Sequence, residues 1–477
     1  MIDVKGKKIT IVGLARSGVG AANLLCKLGA LVTVTDKKNI EELEPYLKRL
    51  SSDIRLQLGN HPVELFEQSD IIVVSPGVPL NTAPLMAASE KGIKIIGELE
   101  LAYQIVNSLP LIVSSSDEFG IHKPSFLAVT GTNGKSTTTA LLYEILKNSD
   151  FNVVVGGNIG NALTEEISNL RFKISDLNYI VAEVSSFQLE SIDTFRPKGA
   201  AILNITPDHL DRYHTMADYI DAKCRIFMNQ SAGDFLILNA DDPTTEEIQK
   251  IGNRQWAIDN RPEIFYFSRK RGVKGAYCKD GVIYFNLPGL TSDFCLLTSD
   301  FKIKGVHNIE NAMAASLMAL LSGCSIDAVA GALKVFSGLE HRLEFVREID
   351  NVKFINDSKG TNVGAVVKSL ESFNEPIVLI AGGRDKDGDF AILRPIIKEK
   401  VKALILIGEA KDKIKKAVGD VVKDVFIEDD FKTAIIKAKQ VASSGDVVLL
   451  SPACASFDMF RDFEDRGRQF KRVVMEL

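Results

Sequence analysis

Short apolar runs, each long enough for one buried strand, recur along the chain and are separated by segments with the apolar spacing of helices. This alternation predicts α/β domains with mostly parallel sheets. The runs lie at 7–12, 31–35, 70–74, 126–129, 153–155, 179–182, 200–203, 235–238, 376–381, 403–407 and 447–450. Shorter runs at 264–267 and 282–285, flanked by turns, predict a small antiparallel patch, and 308–321 predicts a helix.

The stretch 126–139 has the layout of a phosphate-binding loop. A strand ends in the glycine-containing segment 130–134, and helical spacing follows from Ser136. In such a layout the loop N–H groups and the helix N-terminus favour an anion, Lys135 reaches the outer phosphates and the Ser136 hydroxyl can hold Mg²⁺. The usual motif has a glycine where this chain has Val129, so a glycine turn followed by a surface lysine is the alternative. Nucleoside triphosphate binding is our working hypothesis.

A second glycine loop follows the first predicted strand. Gly13-x-Ala15-x-x-Gly18 precedes a helical pattern, and Asp36 ends the next strand, as in dinucleotide-binding βαβ units. Alanine stands where the second glycine would let a pyrophosphate approach, so a tight turn without any nucleotide remains possible. We expect a diphosphate-bearing ligand here, with Asp36 near a sugar or base. A helix-capping role for Asp36 is the competing interpretation.

Two polar segments divide the chain. Residues 107–125 are typical of a linker, and 338–342 of a junction. The predicted domains are therefore 1–107, 108–337 and 338–477. We expect a Rossmann-like first domain, a central P-loop-type ATPase domain with a mostly parallel sheet and a C-terminal Rossmann-like α/β domain.

Composition narrows the function classes. The 477 residues carry a formal net charge of −5, which gives no support to nucleic acid as the main partner. Six scattered cysteines without a C-x-x-C pair suit a reducing compartment. We find neither a signal-peptide pattern nor an apolar run of about 20 residues. These features predict a cytoplasmic protein without membrane contact.

Several polar residues follow predicted strands of the central domain. Glu183 could hold Mg²⁺ beside the phosphate loop, although a solvated acid is the commoner case. The segment 208–212 concentrates acids, a histidine and an arginine, and His209 could ligate a second cation through a neutral ring nitrogen. A helix-capping histidine is the alternative. Lys223 has the pattern of an ordinary exposed helix lysine.

Other candidates border the C-terminal domain. Asn308 and Asn311 have helical i, i+3 spacing and could face one ligand, with helix capping as the alternative for Asn308. Three polar loops at 356–362, 381–386 and 451–456 follow strands and should form one crevice. Lysines 359 and 386 in these loops suit an acidic small substrate, and Arg342 should lie at the entrance.

Together these motifs resemble the Mur ligase family, the ATP-dependent amino-acid ligases of peptidoglycan assembly, to which folylpolyglutamate synthetase is related. The resemblance covers nearly the whole chain, and the family's phosphate loop also lacks the Walker glycine. The motifs at 156–160, 208–213, 356–362 and 451–458 are most similar to the members that join D-glutamate to UDP-N-acetylmuramoyl-L-alanine. Gly360 departs from the pattern, since alanine is usual there, and the loops 114–125 and 168–178 are longer than usual.

The resemblance implies an acyl-phosphate mechanism. ATP phosphorylates the L-alanine carboxylate of the UDP-sugar substrate, and the amine of D-glutamate displaces phosphate. It further implies a monomeric cytoplasmic enzyme of cell wall biogenesis, on which cell shape, cell division and the cell cycle depend. Two Mg²⁺ ions and an N6-carboxylysine at Lys223 are implied cofactors.

The resemblance also implies roles for individual residues. Catalytic roles fall to Lys135, His209 and Lys223. Metal ligands would be Ser136, Glu183, His209 and carbamylated Lys223. ATP would contact Gly131, Thr132, Asn133, Gly134, Lys135, Ser136, Thr137, Asn311, Arg342 and Asp357. The UDP-substrate would contact Leu14, Ala15, Arg16, Asp36, Gly77 and Asn158, and D-glutamate would contact Lys386, Ser456 and Phe463.

Alternatives remain at this stage. A related Mur ligase or folylpolyglutamate-type ligase would use another amino acid, a nucleotide-regulated binding protein would have an idle site, and a dehydrogenase would use the first domain. We also expect closure of the third domain to gate the reaction, because ligands come from all three domains and water must be kept from an acyl phosphate.

Overall fold

A computed structural model describes residues 2–108, 123–170, 174–210, 212–288, 294–303 and 305–477. Most of the linker predicted at 107–125, part of the loop 168–178 and Asp211 lie outside these ranges. The described chain forms three sheets of five, nine and six strands. We call the parts built on them the first, central and third domains. No helix in the described ranges is long and apolar enough to span a membrane.

The first domain is a parallel sheet with the strand order β3-β2-β1-β4-β5. Strands run β1 Lys8–Val12, β2 Leu31–Asp36, β3 Arg55–Leu58, β4 Ile71–Val74 and β5 Lys94–Gly97. Helices run α1 Arg16–Lys27, α2 Ile40–Leu47, α3 Val63–Glu67, α4 Ala83–Glu90 and α5 Glu98–Ser108. The order reverses between β1 and β4, and the turns after these two strands therefore border the crevice where open α/β sheets bind ligands.

The central sheet has the order β14-β13-β12-β11-β10-β9-β6-β8-β7. Strands run β6 Ser125–Thr130, β7 Val153–Gly157, β8 Tyr179–Glu183, β9 Gly199–Ile202, β10 Phe235–Asn239, β11 Glu263–Ser268, β12 Gly275–Lys279, β13 Val282–Asn286 and β14 Cys295–Leu297. Helices run α6 Lys135–Lys147, α7 Leu163–Ser168, α8 Ser186–Leu189, α9 Met216–Cys224, α10 Thr245–Gln255, α11 Val306–Leu321 and α12 Ile326–Val335. Strand β6, which carries the phosphate loop, lies inside the sheet between β8 and β9.

The antiparallel patch was predicted only in part. Strand β13 pairs antiparallel with β12 and β14, as expected, but β11 pairs parallel with both β10 and β12. The prediction for 264–267 was therefore wrong. Strand β12, which contains a glycine and polar residues, separates the two runs and was not recognised. Tyr266 of β11 pairs with Gly275 of β12, so a short loop connects these two parallel strands.

The third domain has the strand order β15-β16-β20-β17-β18-β19, with only β15 antiparallel to its neighbour among the described pairs. Strands run β15 Glu344–Ile349, β16 Val352–Asn356, β17 Ile377–Gly382, β18 Val401–Ile407, β19 Asp424–Ile427 and β20 Val447–Leu450. Helices run α13 Val363–Leu370, α14 Arg394–Lys400, α15 Lys411–Val418, α16 Phe431–Val441 and α17 Phe463–Glu476. The predicted fold class is confirmed, while the boundaries at 107/108 and 337/338 remain predictions.

The three domains are not packed alike. One buried apolar cluster runs continuously through the first and central domains, whereas the third domain has clusters of its own. Tyr103 of α5 packs edge-on against Phe126 and Phe195, with ring centroids 5.3 and 5.4 Å apart. The first domain is therefore docked on the central domain by a shared core.

Candidate active site

The phosphate loop predicted at 130–134 joins β6 to α6, and its glycines have backbone conformations that favour glycine. Gly131 has φ +150° and Gly134 has φ +87°. A Cβ on Gly134 would collide with Oδ1 of Asn311, and one on Gly131 would lie 3.1 Å from Cβ of Leu203. The loop needs glycine because it passes closely between α11 and the end of β9.

The segment after β9 fixes the middle of the loop. The N–H of Thr132 donates to the carbonyl oxygen of Asn204, and the N–H of Asn133 donates to Asn204 Oδ1, both at 2.8 Å. The Thr132 hydroxyl donates to the carbonyl oxygen of Thr206 at 3.1 Å. These two N–H groups are engaged within the protein, so an anion would meet the N-terminus of α6 and the side chain of Lys135.

Lys135 begins α6 and folds back over the loop. Its Nζ donates to the carbonyl oxygens of Gly131 and Thr132, both at 2.9 Å. Burial lowers the Lys135 pKa, and the negative charges of Glu183 and Asp208 oppose this shift. A phosphate would replace carbonyl dipoles with a full negative charge, which a partly desolvated ammonium favours.

Glu183 ends β8 and is 1% exposed, so the expected alternative of a solvated acid is wrong. Its Oε1 accepts a hydrogen bond from Nδ2 of Asn158 at 2.6 Å, and its Oε2 has no partner in the described part of the chain. Burial raises the Glu183 pKa, but Lys359 and Lys135 outweigh burial and hold it below its usual value, with a further contribution from Ser136. A buried, ionised carboxylate with a free oxygen beside a hydroxyl fits a hard divalent cation such as Mg²⁺.

His209 lies across the loop from Lys135 in a left-handed conformation, with φ +56°. Its Nε2 is 3.7 Å from Oδ2 of Asp208, and its ring packs edge-on against Phe187 with centroids 4.8 Å apart. Burial lowers the His209 pKa more than Asp208 raises it, so the imidazole is neutral, as a metal ligand must be. The helix-capping alternative is wrong, because Thr215 caps α9.

Lys223 of α9 is 1% exposed, so its expected surface position is wrong. It lies one helical turn after Tyr219, and both residues face the phosphate loop. The Lys223 Nζ donates to the carbonyl oxygen of Gly131 at 3.0 Å and lies 4.6 Å from the Tyr219 ring centroid. Burial, reinforced by the charge of Lys135, lowers the Lys223 pKa well below its usual value. The shift favours the neutral amine, which is the form that can act as a nucleophile.

A cavity of about 750 Å³ separates the phosphate loop from the third domain. Its lining includes the phosphate-loop residues Asn133 and Gly134 together with residues of all three polar loops that follow β16, β17 and β20. These strands are neighbours in the sheet, so the prediction of one crevice is confirmed. The third-domain side chains in it include Asp357, Lys359 and Lys386.

The predicted ATP-binding residues outside the loop also line this cavity. The Arg342 Nε has no partner in the described residues, and burial lowers the Arg342 pKa. Asp357 Oδ2 accepts bonds from the hydroxyls of Ser369 and Ser451 at 2.6 and 2.7 Å, while burial raises the Asp357 pKa. Arg342 thus has donors available for a phosphate, and Asp357 is held rigidly.

The side chains of Asn308 and Asn311 on α11 are hydrogen-bonded to each other. Nδ2 of Asn311 donates to Oδ1 of Asn308 at 3.1 Å, and Asn311 Oδ1 accepts from the Thr138 hydroxyl at 3.2 Å. The capping alternative for Asn308 is wrong, because Gly305 is the residue at the helix N-cap. Asn311 therefore contacts α6 directly beneath the phosphate loop.

The predicted D-glutamate residues all belong to the third domain, and Lys386 alone of the three is in the described lining of the cavity. Lys386 lines the cavity, Ser456 is buried in the loop after β20, and Phe463 begins α17. Nζ of Lys359 lies 5.0 Å from the centroid of the Phe463 ring. Burial lowers the Lys359 pKa, and Glu183 is the largest charge that opposes this shift.

The predicted UDP-substrate residues of the first domain lie at the carboxyl ends of β1, β2 and β4, and Asn158 follows β7 of the central domain. Asp36 Oδ2 accepts from the N–H of Leu14 at 2.7 Å, and its Oδ1 accepts from the N–H of Lys38. Asn39 caps α2, so the capping role considered for Asp36 is wrong. Leu14 is buried, whereas Ala15, Gly77 and Asn158 are exposed at the ends of their strands. Arg16 reaches the central domain, where its Nη1 donates to the carbonyl oxygen of Gly160 at 3.2 Å.

Sequence reasoning assigned no individual role to Asp208 and Asn362, and it did not predict that Lys359 approaches Glu183. Asp208 accepts from its neighbour His209 and from Asn362, and it influences the pKa of both Lys135 and Lys223. Lys359 approaches Glu183 from the third domain. The sequence marked the polar loops as candidates, but only the tertiary packing shows which of their residues reach the site. Arg212 is instead held by Glu190 at 2.5 Å and supports Phe187.

Three family models together match most of the chain. They are the Mur ligase MurD-like N-terminal domain at 7–97, the Mur ligase middle domain at 129–319 and the Mur ligase glutamate ligase domain at 341–454. Full-length similarity extends to a UDP-N-acetylmuramoylalanine–D-glutamate ligase from Geotalea daltonii, which is 47% identical over 481 residues and covers 100% of this chain and 99% of that protein. The chain belongs to the Mur ligase family. As a Mur ligase it is an ATP-dependent ligase.

Further Mur ligases support this assignment. A protein of the same name from Pelotomaculum thermopropionicum is 44% identical over 478 residues, and the similarity covers 100% of this chain and 99% of that protein. The solved MurC ligase from Thermotoga maritima superposes with a TM-score of 0.60 at 19% identity, covering 98% of this chain and 99% of its own. MurF from the same organism, solved with ADP, gives 0.61 at 16% identity over 100% of both chains. These two likenesses concern the fold.

Proposed function

We propose that this Mur ligase joins D-glutamate to UDP-N-acetylmuramoyl-L-alanine at the expense of ATP, in the synthesis of peptidoglycan precursors. The observation that carries the proposal is the meeting of charged groups from two domains beside the phosphate loop. Lys135 of the central domain and Lys359 of the third domain both act on the buried Glu183, and Lys359 and Lys386 line the cavity next to the loop. The two carboxylates of a dicarboxylic amino acid would pair with Lys359 and Lys386, and the curated relatives carry the corresponding name.

The proposed reaction has two steps. A carboxylate oxygen of the bound L-alanine attacks the γ-phosphorus of ATP, which forms an acyl phosphate and releases ADP. The neutral amine of D-glutamate then attacks the acyl carbon, the C–O bond to phosphate breaks, and an amide, inorganic phosphate and one proton form. Both steps bring anions together, so their main requirement is charge neutralisation. Lys135 is placed to neutralise the transferred phosphoryl group.

Mg²⁺ ions would be held by residues whose donors fit them. Ser136 and the free Oε2 of Glu183 would hold one ion, and neutral His209 would contribute to a second. Bound Mg²⁺ supplies positive charge to the phosphates and the substrate carboxylate. Asn158 keeps the Glu183 carboxylate oriented for this role through its 2.6 Å hydrogen bond.

Lys223 would enter the second metal site only after modification, because an ammonium cannot ligate a cation. Its amine nitrogen, buried and low in pKa, can attack CO₂ to give a carbamate, with one proton released. The resulting N6-carboxylysine would carry a carboxylate-like group next to the phosphate loop.

Substrate recognition is divided among the domains in this proposal. The strand ends and turns of the first domain with Leu14, Ala15, Arg16, Asp36 and Gly77 would bind the UDP group, and Asn158 the muramoyl part. ATP would lie between the phosphate loop and Asn311, Arg342 and Asp357. Lys386, Ser456 and Phe463 would receive D-glutamate.

The enzyme would act as a cytoplasmic monomer in which the third domain closes over ATP. The shared core of the first and central domains supports closure by the third domain alone. Small-angle scattering tests this closure, since nucleotide with UDP-substrate should make the molecule more compact. Equal compactness with and without ligands would contradict closure.

An amino-acid panel tests the function. Phosphate release would be measured with ATP, UDP-N-acetylmuramoyl-L-alanine and one of D-glutamate, L-glutamate, L-lysine or no amino acid. Release should depend on D-glutamate, and Lys135→Ala should lower it by about a thousandfold because the phosphoryl charge loses its main neutralising group. Preference for another amino acid would assign a different acceptor, and undiminished amide synthesis by Lys135→Ala would overturn the mechanism.

A further inference from the structure

The third domain is joined to the central domain by far fewer described hydrogen bonds than the first domain is. Two buried carboxylates of α5 fasten the first domain. Glu98 accepts from the N–H and hydroxyl of Thr164, and Glu100 accepts from the N–H groups of residues 193–195. The described hydrogen bonds to the third domain come from Asn362 and from a 3.5 Å contact between Ser372 and His307.

The side-chain amide of Asn362 contacts three segments: the start of α13, Asp208 and the phosphate loop. Its Oδ1 accepts from the N–H of Ala365 at 2.8 Å and so caps α13. Its Nδ2 lies 3.1 Å from Oδ2 of Asp208 and 3.5 Å from Oδ1 of Asn133 in the phosphate loop. The acceptor at Asp208 is a carboxylate, which makes this the stronger of the two contacts.

The approach of α13 to the phosphate loop is close at the same place. Gly364 follows Asn362 by two residues, and a Cβ on it would lie 3.5 Å from both Nδ2 of Asn133 and Oγ1 of Thr206. The helix N-terminus therefore lies against the loop, with the Asn362 amide as its polar contact.

We propose that Asn362 is a positioning residue that latches the third domain onto Asp208 and the phosphate loop in the closed enzyme. This inference rests on the proposed function and specifies its closure step. The latch belongs to the segment that carries Lys359, which approaches Glu183, so forming it brings third-domain charge to the reacting phosphate. Asn362 itself need not contact either substrate.

Asn362→Ser tests the latch without removing the cap. The serine hydroxyl can still accept from the N–H of Ala365, but it is too short to reach Asp208. We expect kcat to fall about tenfold, the value of one hydrogen bond to a charged group, while the affinity for UDP-N-acetylmuramoyl-L-alanine and the thermal midpoint stay unchanged. Ligand-induced compaction in scattering should decrease in parallel. Asp430→Ser is the matched control, since Asp430 caps α16 of the same domain.

Exchanging the amide and the carboxylate between positions 362 and 208 distinguishes loss of the latch from a local effect of either substitution. Asn362→Asp keeps the cap but places two carboxylates face to face, so it should lower kcat more than Asn362→Ser does. Combining it with Asp208→Asn restores a donor–acceptor pair and should lose less activity than the two single variants predict together.

Two results would overturn the latch. One is wild-type kcat and compaction in Asn362→Ser, and the other is strictly additive losses in the exchange. Both results are interpreted only if the wild-type enzyme releases phosphate in response to D-glutamate. A wild type without that activity would instead refute the proposed function.

Discussion

Lys135 and Lys223 donate hydrogen bonds to the same acceptor, the carbonyl oxygen of Gly131, at 2.9 and 3.0 Å. Two amines at one oxygen repel each other when both are protonated. Burial and the charge of Lys135 lower the Lys223 pKa, which favours the neutral form of Lys223 and thereby relieves the repulsion. The first glycine of the phosphate loop thus links the predicted phosphate ligand to the predicted carbamylation site.

We predict a carbamate on Lys223, because a neutral amine adds to CO₂ and an ammonium does not. Protein equilibrated with ¹³C-bicarbonate should show a carbamate resonance by NMR. The resonance should be absent from Lys223→Arg and retained in Lys147→Arg, which changes a lysine at the exposed end of α6. Lys223→Arg should also lower kcat by about a hundredfold, since a permanent cation replaces the carbamate. An unmodified Lys223 in the active enzyme would contradict the assignment.

Gly134→Ala should weaken ATP binding at least tenfold. Its φ of +87° makes any side chain costly by about 1 kcal/mol, and its Cβ would also displace Asn311 from the Thr138 hydroxyl. Gly323→Ala is a matched control, because Gly323 has φ +89° and open space around a Cβ. Isothermal titration with ATP and thermal unfolding measure the two effects. Equal ATP affinity in both variants would show that Asn311 tolerates displacement.

The sequence predicted most of the fold because its signals are local. Buried strands such as β6 and β20 are continuous apolar runs, and the phosphate loop carries its own glycines and lysine. Several edge and peripheral strands escaped prediction. The side chains of β3 (Arg-Leu-Gln-Leu) are half or fully exposed, so no apolar run marks it, and β14 has only three residues. Pairing with a neighbouring strand, rather than composition, makes these segments extended.

The site was predictable to the level of loops but not of individual side chains. Crevice-forming loops were located because parallel strands end at one edge of a sheet. The burial of Lys223 was missed because it depends on which face of α9 meets the phosphate loop. Roles of Asp208 and Asn362 were missed because they arise where two domains meet, at residues 154 positions apart.

Arg466→Lys should raise the KM for D-glutamate about tenfold. Arg466 is fully buried in α17, and its guanidinium donates to the hydroxyl and carbonyl oxygens of Ser358 and the carbonyl oxygens of Cys454 and Ala455. It thereby ties the loop after β16 to the loop after β20. Lysine offers a point charge without the planar fork and cannot hold both loops.

The control for this substitution lies on the same helix. Arg468 is exposed and makes one contact of 3.8 Å with Asp462, so Arg468→Lys should change neither KM nor the thermal midpoint. Arg466→Lys should also lose about 3 kcal/mol of stability, because buried carbonyls lose their donors. Steady-state kinetics in D-glutamate and thermal unfolding report both effects. An unchanged KM together with lowered stability would restrict Arg466 to a structural role.

Glu98→Gln should change how stability depends on pH. The Glu98 carboxyl is 2% exposed at the contact between the first and central domains, and burial raises its pKa, although its bonds from Thr164 oppose the shift. An acid whose pKa is higher in the folded chain binds its proton more tightly there. The stability that this proton contributes is therefore complete at pH values below the pKa in the unfolded chain, and it is lost as the pH rises through the pKa in the folded chain. Glutamine has no such loss. The thermal midpoint of Glu98→Gln minus that of the wild type should therefore increase between pH 5 and pH 8, as measured by thermal unfolding at each pH. A difference that stays constant across this range would show that Glu98 does not exchange a proton on unfolding there.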